Sequence, residues 1–81
     1  MVKIVFYTTL GCHLCEEAEQ QLRRLVTANS VEVEAFDISS SEDLVSLYGI
    51  RIPVLKNMES EQELDWPFDY SKLLQFAGFA D

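Results

Sequence analysis

Two cysteines three residues apart, Cys12 and Cys15, are the residues of this chain whose type and spacing best suggest covalent chemistry. They lie in Leu10-Gly11-Cys12-His13-Leu14-Cys15, where the apolar run Val2 to Tyr7 gives way to an amphipathic stretch. Thiol–disulfide exchange needs a thiolate, an electrophilic sulfur in line with it, and a second thiol to resolve the mixed disulfide. A cysteine at a helix N-terminus faces free N–H groups and the positive end of the helix dipole, which stabilise a thiolate. Cys12 therefore reads as the nucleophile. Cys15, one turn further on and beside Leu14 and Ala18, reads as the shielded resolving thiol. A protonated His13 would favour the Cys12 thiolate, whereas Glu16 and Glu17 would oppose it. By sequence, Lys3 and Arg51 are the only other candidate bases near the pair. The expected result is a Cys12 pKa that is lowered but not extreme, with the dipole as the main cause.

Other readings of the same residues stay open. The pair could also be no more than two small buried core residues. Cys12, His13 and Cys15 offer at most three metal ligands where structural zinc takes four, and His13 points to a different helix face from Cys15. No resident metal is expected, although a cluster shared between two copies, a carrier role or a redox-sensing interaction domain would use the same pair. His13 itself reads first as a solvent-facing residue of the first helical turn and second as a charge tuner.

Composition narrows the setting. At 81 residues the chain reads as one domain over residues 1–81 with a thin core, because domains of this size bury only a little over about 60% of their unfolded surface. Two cysteines are too few for a disulfide framework. The strand-like run directly after Met1 is too short for a signal peptide or a membrane span, so a reducing cytoplasm is the expected location. The net charge of −8 argues against nucleic acid and anionic membranes, which reward clustered Lys and Arg. It reads as a solubilising surface, or as complementarity to a basic protein partner. The chain is expected to act as a monomer.

The elements that must position the pair follow from periodicity. Val2 to Tyr7 is apolar and β-branched, as in a strand buried on both faces. A helix over His13–Ala28 carries Leu14, Cys15, Ala18, Leu22, Leu25 and Val26 as its apolar positions, with acids early and bases late. Val31 to Phe36 alternates as a half-exposed strand, parallel to the first across the helix. Ser39 with Glu42, or Ser40 with Asp43, has capping-box spacing for a second helix that Gly49 ends. Ile50 to Leu55 runs from loop into a strand, and a second strand over Gln62 to Asp65 makes an antiparallel hairpin with Pro53 at its entry. Asp69 caps a last helix, with Phe68 and Leu73 placed as a hydrophobic staple and Gly78 as its end. Trp66 and Phe68 read as packing residues, or else as an apolar surface for a protein substrate. The order is β-α-β-α-β-β-α.

That order, Cys12-His13-Leu14-Cys15 at a helix start, and the later Ile52-Pro53 step resemble the thioredoxin superfamily. Tyr48-Gly49-Ile50-Arg51-Ile52-Pro53-Val54-Leu55 and Leu64-Asp65-Trp66-Pro67-Phe68-Asp69 resemble the small glutaredoxin-like proteins, and the likeness runs from residue 2 to residue 77. It implies an α/β fold of the thioredoxin/glutaredoxin-like type, a four-stranded mixed sheet flanked by helices. It also implies a thiol–disulfide oxidoreductase of cell redox homeostasis, with Cys12 and Cys15 catalytic and a redox-active disulfide in place of any other cofactor. Ile52, Pro53, His13 and Leu14 would meet the substrate. Pro53 would follow a cis bond and present the Ile52 backbone to an extended substrate. The partners would be a protein disulfide and a thiol reductant, either a thioredoxin-type protein or glutathione. The sequence departs from glutaredoxins in three places. His13-Leu14 replaces their Pro-Tyr, no lysine precedes Cys12 in Thr8-Thr9-Leu10, and Asp65 to Asp69 lacks their Gly-Gly pair. Glutathione carries two carboxylates, so a chain this acidic is expected to hold it weakly.

Overall fold

The apolar run at the start of the chain becomes the axis of the fold. In the computed structural model, which describes residues 2–79, strand β1 (Val2–Thr8) lies inside a four-stranded sheet. Helix α1 (His13–Ala28) leads to strand β2 (Val31–Asp37), which pairs parallel to β1 in the register Phe6 to Ala35. A 3₁₀ turn (Ile38–Ser40) and helix α2 (Glu42–Tyr48) follow. Strand β3 (Val54–Asn57) then pairs antiparallel to β1, with Tyr7 opposite Val54. Strand β4 (Glu63–Asp65) closes a hairpin on β3, and helix α3 (Tyr70–Ala77) ends the fold. The sheet order is β2-β1-β3-β4. This is the expected mixed four-stranded α/β arrangement.

Alternation along the strands splits the core between the two faces. Ile4, Phe6 and Leu55 pack with Cys15, Ala18, Leu22 and Leu25 of α1 and with Leu73 and Ala77 of α3. On the opposite face Val54 packs with Ile38 and Tyr48, and Tyr7 and Leu44 lie against them. Phe68 and Leu73 are both buried in the first cluster, flanking the Asp69 cap, whose side chain accepts the Lys72 N–H at 2.8 Å. The staple holds.

Three local expectations need correction. The cap of α2 is Ser41, whose hydroxyl oxygen accepts the Leu44 N–H, and neither Ser39 nor Ser40. The reason is Asp37, which accepts from both the Ser39 N–H and hydroxyl and so winds Ile38–Ser40 into a separate turn that buries Ile38. The last turn of α1 carries no base, because Arg23 and Arg24 fall before it. Gly49 ends α2 in an ordinary right-handed conformation. A Cβ there would stand 2.5 Å from the Val45 carbonyl oxygen, so the glycine answers to space and not to a left-handed turn.

The apolar stripe of α1 is also narrower than its sequence suggests. Cys15, Ala18, Leu22 and Leu25 are buried at helical spacing. Leu14 and Val26 stay 42% and 43% exposed. Each lies one residue, or about 100° of helical turn, away from that stripe.

Candidate active site

The loop from β1 to α1 makes its turn at Gly11, whose φ of +79° is a left-handed conformation that a glycine adopts without steric cost. The next residue, Cys12, is the N-cap of α1. Its Sγ accepts the Cys15 N–H at 3.1 Å, and its carbonyl oxygen accepts the Glu16 N–H at 3.3 Å. A sulfur thus occupies the capping position usually filled by a Ser or Asp oxygen, facing the free amides of the first turn. Cys12 and Cys15 are joined as a disulfide with their Cα atoms 5.2 Å apart. Their environments differ sharply. Cys15 is 3% exposed and belongs to the core beneath the sheet face, whereas Cys12 is only partly buried.

Around the pair, Leu10 stands 91% exposed at the loop tip. His13 is exposed on the outer side of the first turn, its Nδ1 3.7 Å from Glu16 Oε2. Neither of the two distant bases adds positive charge to the pair. Lys3 sits at the far end of β1 and pairs with Glu34 at 3.0 Å. Arg51 is bound by two carboxylates. Among the described residues no group of three or more His, Cys, Asp or Glu side chains is arranged to hold a metal ion.

Ile52 and Pro53 come to the same end of the sheet as the dithiol. The register Tyr7 to Val54 places Pro53 level with Thr8, where β1 hands over to the Cys12 loop. The Ile52–Pro53 peptide bond is cis, and so is Trp66–Pro67, for which the sequence carries no signal. The Pro53 carbonyl accepts the Trp66 N–H at 3.3 Å, and the Ile52 N–H donates to the Tyr48 carbonyl at 3.0 Å. The Ile52 N–H is thereby already used within the chain. Of the residues expected to meet a substrate, His13 and Leu14 are exposed beside Cys12, Ile52 is half-buried and Pro53 is buried.

Behind this step lies a polar cluster. Arg51 donates to Asp65 through Nε at 3.1 Å and Nη2 at 2.8 Å, and to Glu63 through Nη2 at 2.9 Å. Its guanidinium also lies over the Tyr48 ring, 5.2 Å from the centroid. The Tyr48 hydroxyl donates to Glu63 at 2.7 Å, and the Tyr48 ring stacks on Tyr7 with centroids 4.2 Å apart. Arg51 holds the Glu63 and Asp65 carboxyls below the ordinary carboxylate range. Burial, reinforced by the bond to Glu63, pushes the Tyr48 hydroxyl well above the usual phenol value. The sequence hint for this cluster was the spacing of Glu63 and Asp65, which share one face of a strand.

On the other side of Cys12 the chain leaves an open groove of about 810 Å³ between α1 and β2. Both cysteines border it. Sequence periodicity missed it because a groove is a gap between elements. Its one trace was Val26, an apolar residue outside the buried stripe of its helix.

With this geometry in hand, comparison with known proteins decides the family. Residues 3–76 match the glutaredoxin-like domain (DUF836). The chain belongs to this glutaredoxin-like family. It is similar to solved structures of two bacterial proteins. One is protein Ne2328 from Nitrosomonas europaea, at 35% identity and TM-score 0.79, covering 95% of this chain and 92% of that one. The other is a structural-genomics target protein from X. campestris, at 33% identity and TM-score 0.77, covering 96% and 99%. A mutant thioredoxin from Halobacterium salinarum NRC-1, at 20% identity and TM-score 0.74 over 99% of this chain and 78% of that one, shares the thioredoxin fold. No curated protein sequence matches the chain significantly. The glutaredoxin-like domain thus carries its Cys12–Cys15 disulfide on a thioredoxin-like fold. No described helix is long and apolar enough to cross a membrane.

Proposed function

We propose that this glutaredoxin-like domain is a thiol–disulfide oxidoreductase acting on protein disulfides in the cytoplasm. The observation that carries the reading is the asymmetry of the pair: Cys12 Sγ at the cap of α1, accepting the Cys15 N–H, with Cys15 buried one turn below it. In the reduced protein the same amide and dipole favour a Cys12 thiolate. That thiolate attacks one sulfur of the partner disulfide, the partner S–S bond breaks, and a partner thiolate leaves. Cys15 then gives up its proton and attacks Cys12 Sγ, releasing the second partner thiol. The partner gains two electrons and two protons, and Cys12–Cys15 becomes a disulfide. A thiol reductant, either a thioredoxin-type protein or glutathione, restores the dithiol. The Ile52 carbonyl, beside Pro53, serves as an aligning contact for an extended substrate, and Leu14 and His13 form the rim next to the attacking sulfur.

The test is a redox titration of the Cys12–Cys15 pair combined with turnover of a small neutral disulfide. A reversible two-electron transition with turnover is the expected result. Cys12→Ser should lose all turnover, and Cys15→Ser should accumulate a mixed disulfide on Cys12. A pair that stays reduced or stays oxidised at every poise would remove the enzymatic reading.

A further inference from the structure

The groove between α1 and β2 supplies what the proposed reaction lacks, a place for the rest of the substrate. From the oxidoreductase reading and this groove together we infer that the partner binds through an extended segment, apolar and positively charged, laid along α1 from Cys12.

The groove begins at the dithiol and is walled by Leu22 and Val26 of α1 and by Val33 and Ala35 of β2. Val26 and Ala35 are exposed, so apolar surface stands open to solvent along the groove that starts at the reactive pair. The wall extends from Cys12 to Thr27. At 1.5 Å per helical residue that is about 22 Å. An extended chain covers it with about six or seven residues, which exceeds the span of a tripeptide thiol. The rim sets the sign of the partner. Glu16, Glu19 and Asp37 border the groove against a single base, Arg23, and Arg23 is held by Glu19 at 2.8 Å. Asp37 is kept ionised by the hydroxyl and N–H of Ser39. On the far side of Cys12, Arg51 is matched by two carboxylates. Among the described residues no free cation borders the groove, so an anionic segment meets repulsion there and a cationic one is steered in. A second copy of this chain, itself at −8, carries the wrong sign.

The experiment uses three peptides of one apolar sequence with an internal disulfide, extended by Lys, by Gln or by Glu residues. Each oxidises the pre-reduced protein, and the second-order rate is read by mass shift. Neutral hydroxyethyl disulfide is the reference for every protein variant. The Lys peptide should react about tenfold faster than the Glu peptide at low salt, and the ratio should collapse near about 1 M salt. Ala35→Trp, which fills the groove, should lower the Lys-peptide rate about fivefold or more relative to that variant's own reference rate. Glu16→Gln with Glu19→Gln should shrink the Lys-to-Glu ratio. Equal rates for the three peptides, with the neutral disulfide still reacting, overturn the groove and leave the oxidoreductase standing. Failure with the neutral disulfide overturns the oxidoreductase reading itself. Discrimination that persists unchanged in Ala35→Trp overturns the location. A concentration-dependent dimer abolished by Ala35→Trp makes the groove a self-interface and likewise overturns the inference.

Discussion

The two flanks of Cys12 solve different problems with different chemistry. Towards β3 and β4 the polar groups are matched: Arg51 satisfies Glu63 and Asp65, Tyr48 completes Glu63, and the Ile52 N–H and Pro53 carbonyl have backbone partners. Towards β2 the structure is unfinished. Val26 and Ala35 face solvent, and among the described residues the acidic rim has one base, Arg23. On the proposed oxidoreductase reading, a dithiol that meets a partner repeatedly without shifting its own geometry benefits from this division. The closed flank holds the Ile52–Pro53 side of the site in place, and the open flank leaves surface free to be covered. The difference is one of satisfaction, and it can be tested as a difference in how substitutions cost stability.

The largest effect should come from the core that both flanks share, on the α1 and α3 face of β3. Leu55 is fully buried on β3, opposite Phe6 on β1 and Leu64 on β4. Leu55→Ala removes those contacts and opens a cavity, which should cost about 2–5 kcal/mol. For a domain of this size that is a large share of a total near about 5–12 kcal/mol, so urea denaturation should show a sharply lowered midpoint. A loss below about 1 kcal/mol would mean that β3 is not held as described.

Arg51 should come next. It is about one-third exposed, so its bonds to Glu63 and Asp65 are partly screened, and Arg51→Met should cost about 1–2 kcal/mol near neutral pH. The sign with pH is definite. Glu63 and Asp65 have folded-state pKa values below their unfolded values. Their contribution is therefore complete above the ordinary carboxylate range and is lost as pH falls through the depressed values. Stability of the parent should drop on acidification from about pH 5 downward. The Arg51→Met variant should lose less over the same interval, so the two curves converge. Parallel curves would show that the cluster contributes nothing to acid sensitivity.

The sequence disclosed the fold because its periodic signals were strong and agreed with one another. The apolar run of β1, the amphipathic 13–28 helix and the alternation in β2 each have one reading, and the Asp69 cap with its Phe68 and Leu73 staple marks α3 unambiguously. The dithiol was legible for the same reason, since a cysteine's place at a strand-to-helix step is itself a local feature. What stayed hidden depends on distance in the chain. Ser39, Ser40 and Ser41 are equally good caps until Asp37 takes Ser39. Arg51 has no partners until the hairpin brings Glu63 and Asp65 beside it. Val26 looks like core until the direction of α1 across the sheet leaves it outside.

That last residue gives the smallest effect and the most direct test of the open flank. If Val26 faces an empty groove, truncating it uncovers little, and Ala gains a few tenths of a kcal/mol in helix propensity over Val. Val26→Ala should then leave stability within about 0.5 kcal/mol of the parent. If β2 or another segment closed over the groove in solution, the same change would delete two buried carbon groups and cost upwards of about 1.5 kcal/mol. The measurement is a pair of denaturation curves, run once on the oxidised and once on the reduced protein. Near-equality in both states keeps the groove open at the moment the dithiol reacts. A cost confined to the reduced protein would close it at that moment, and the partner would have to be sought on the Pro53 side.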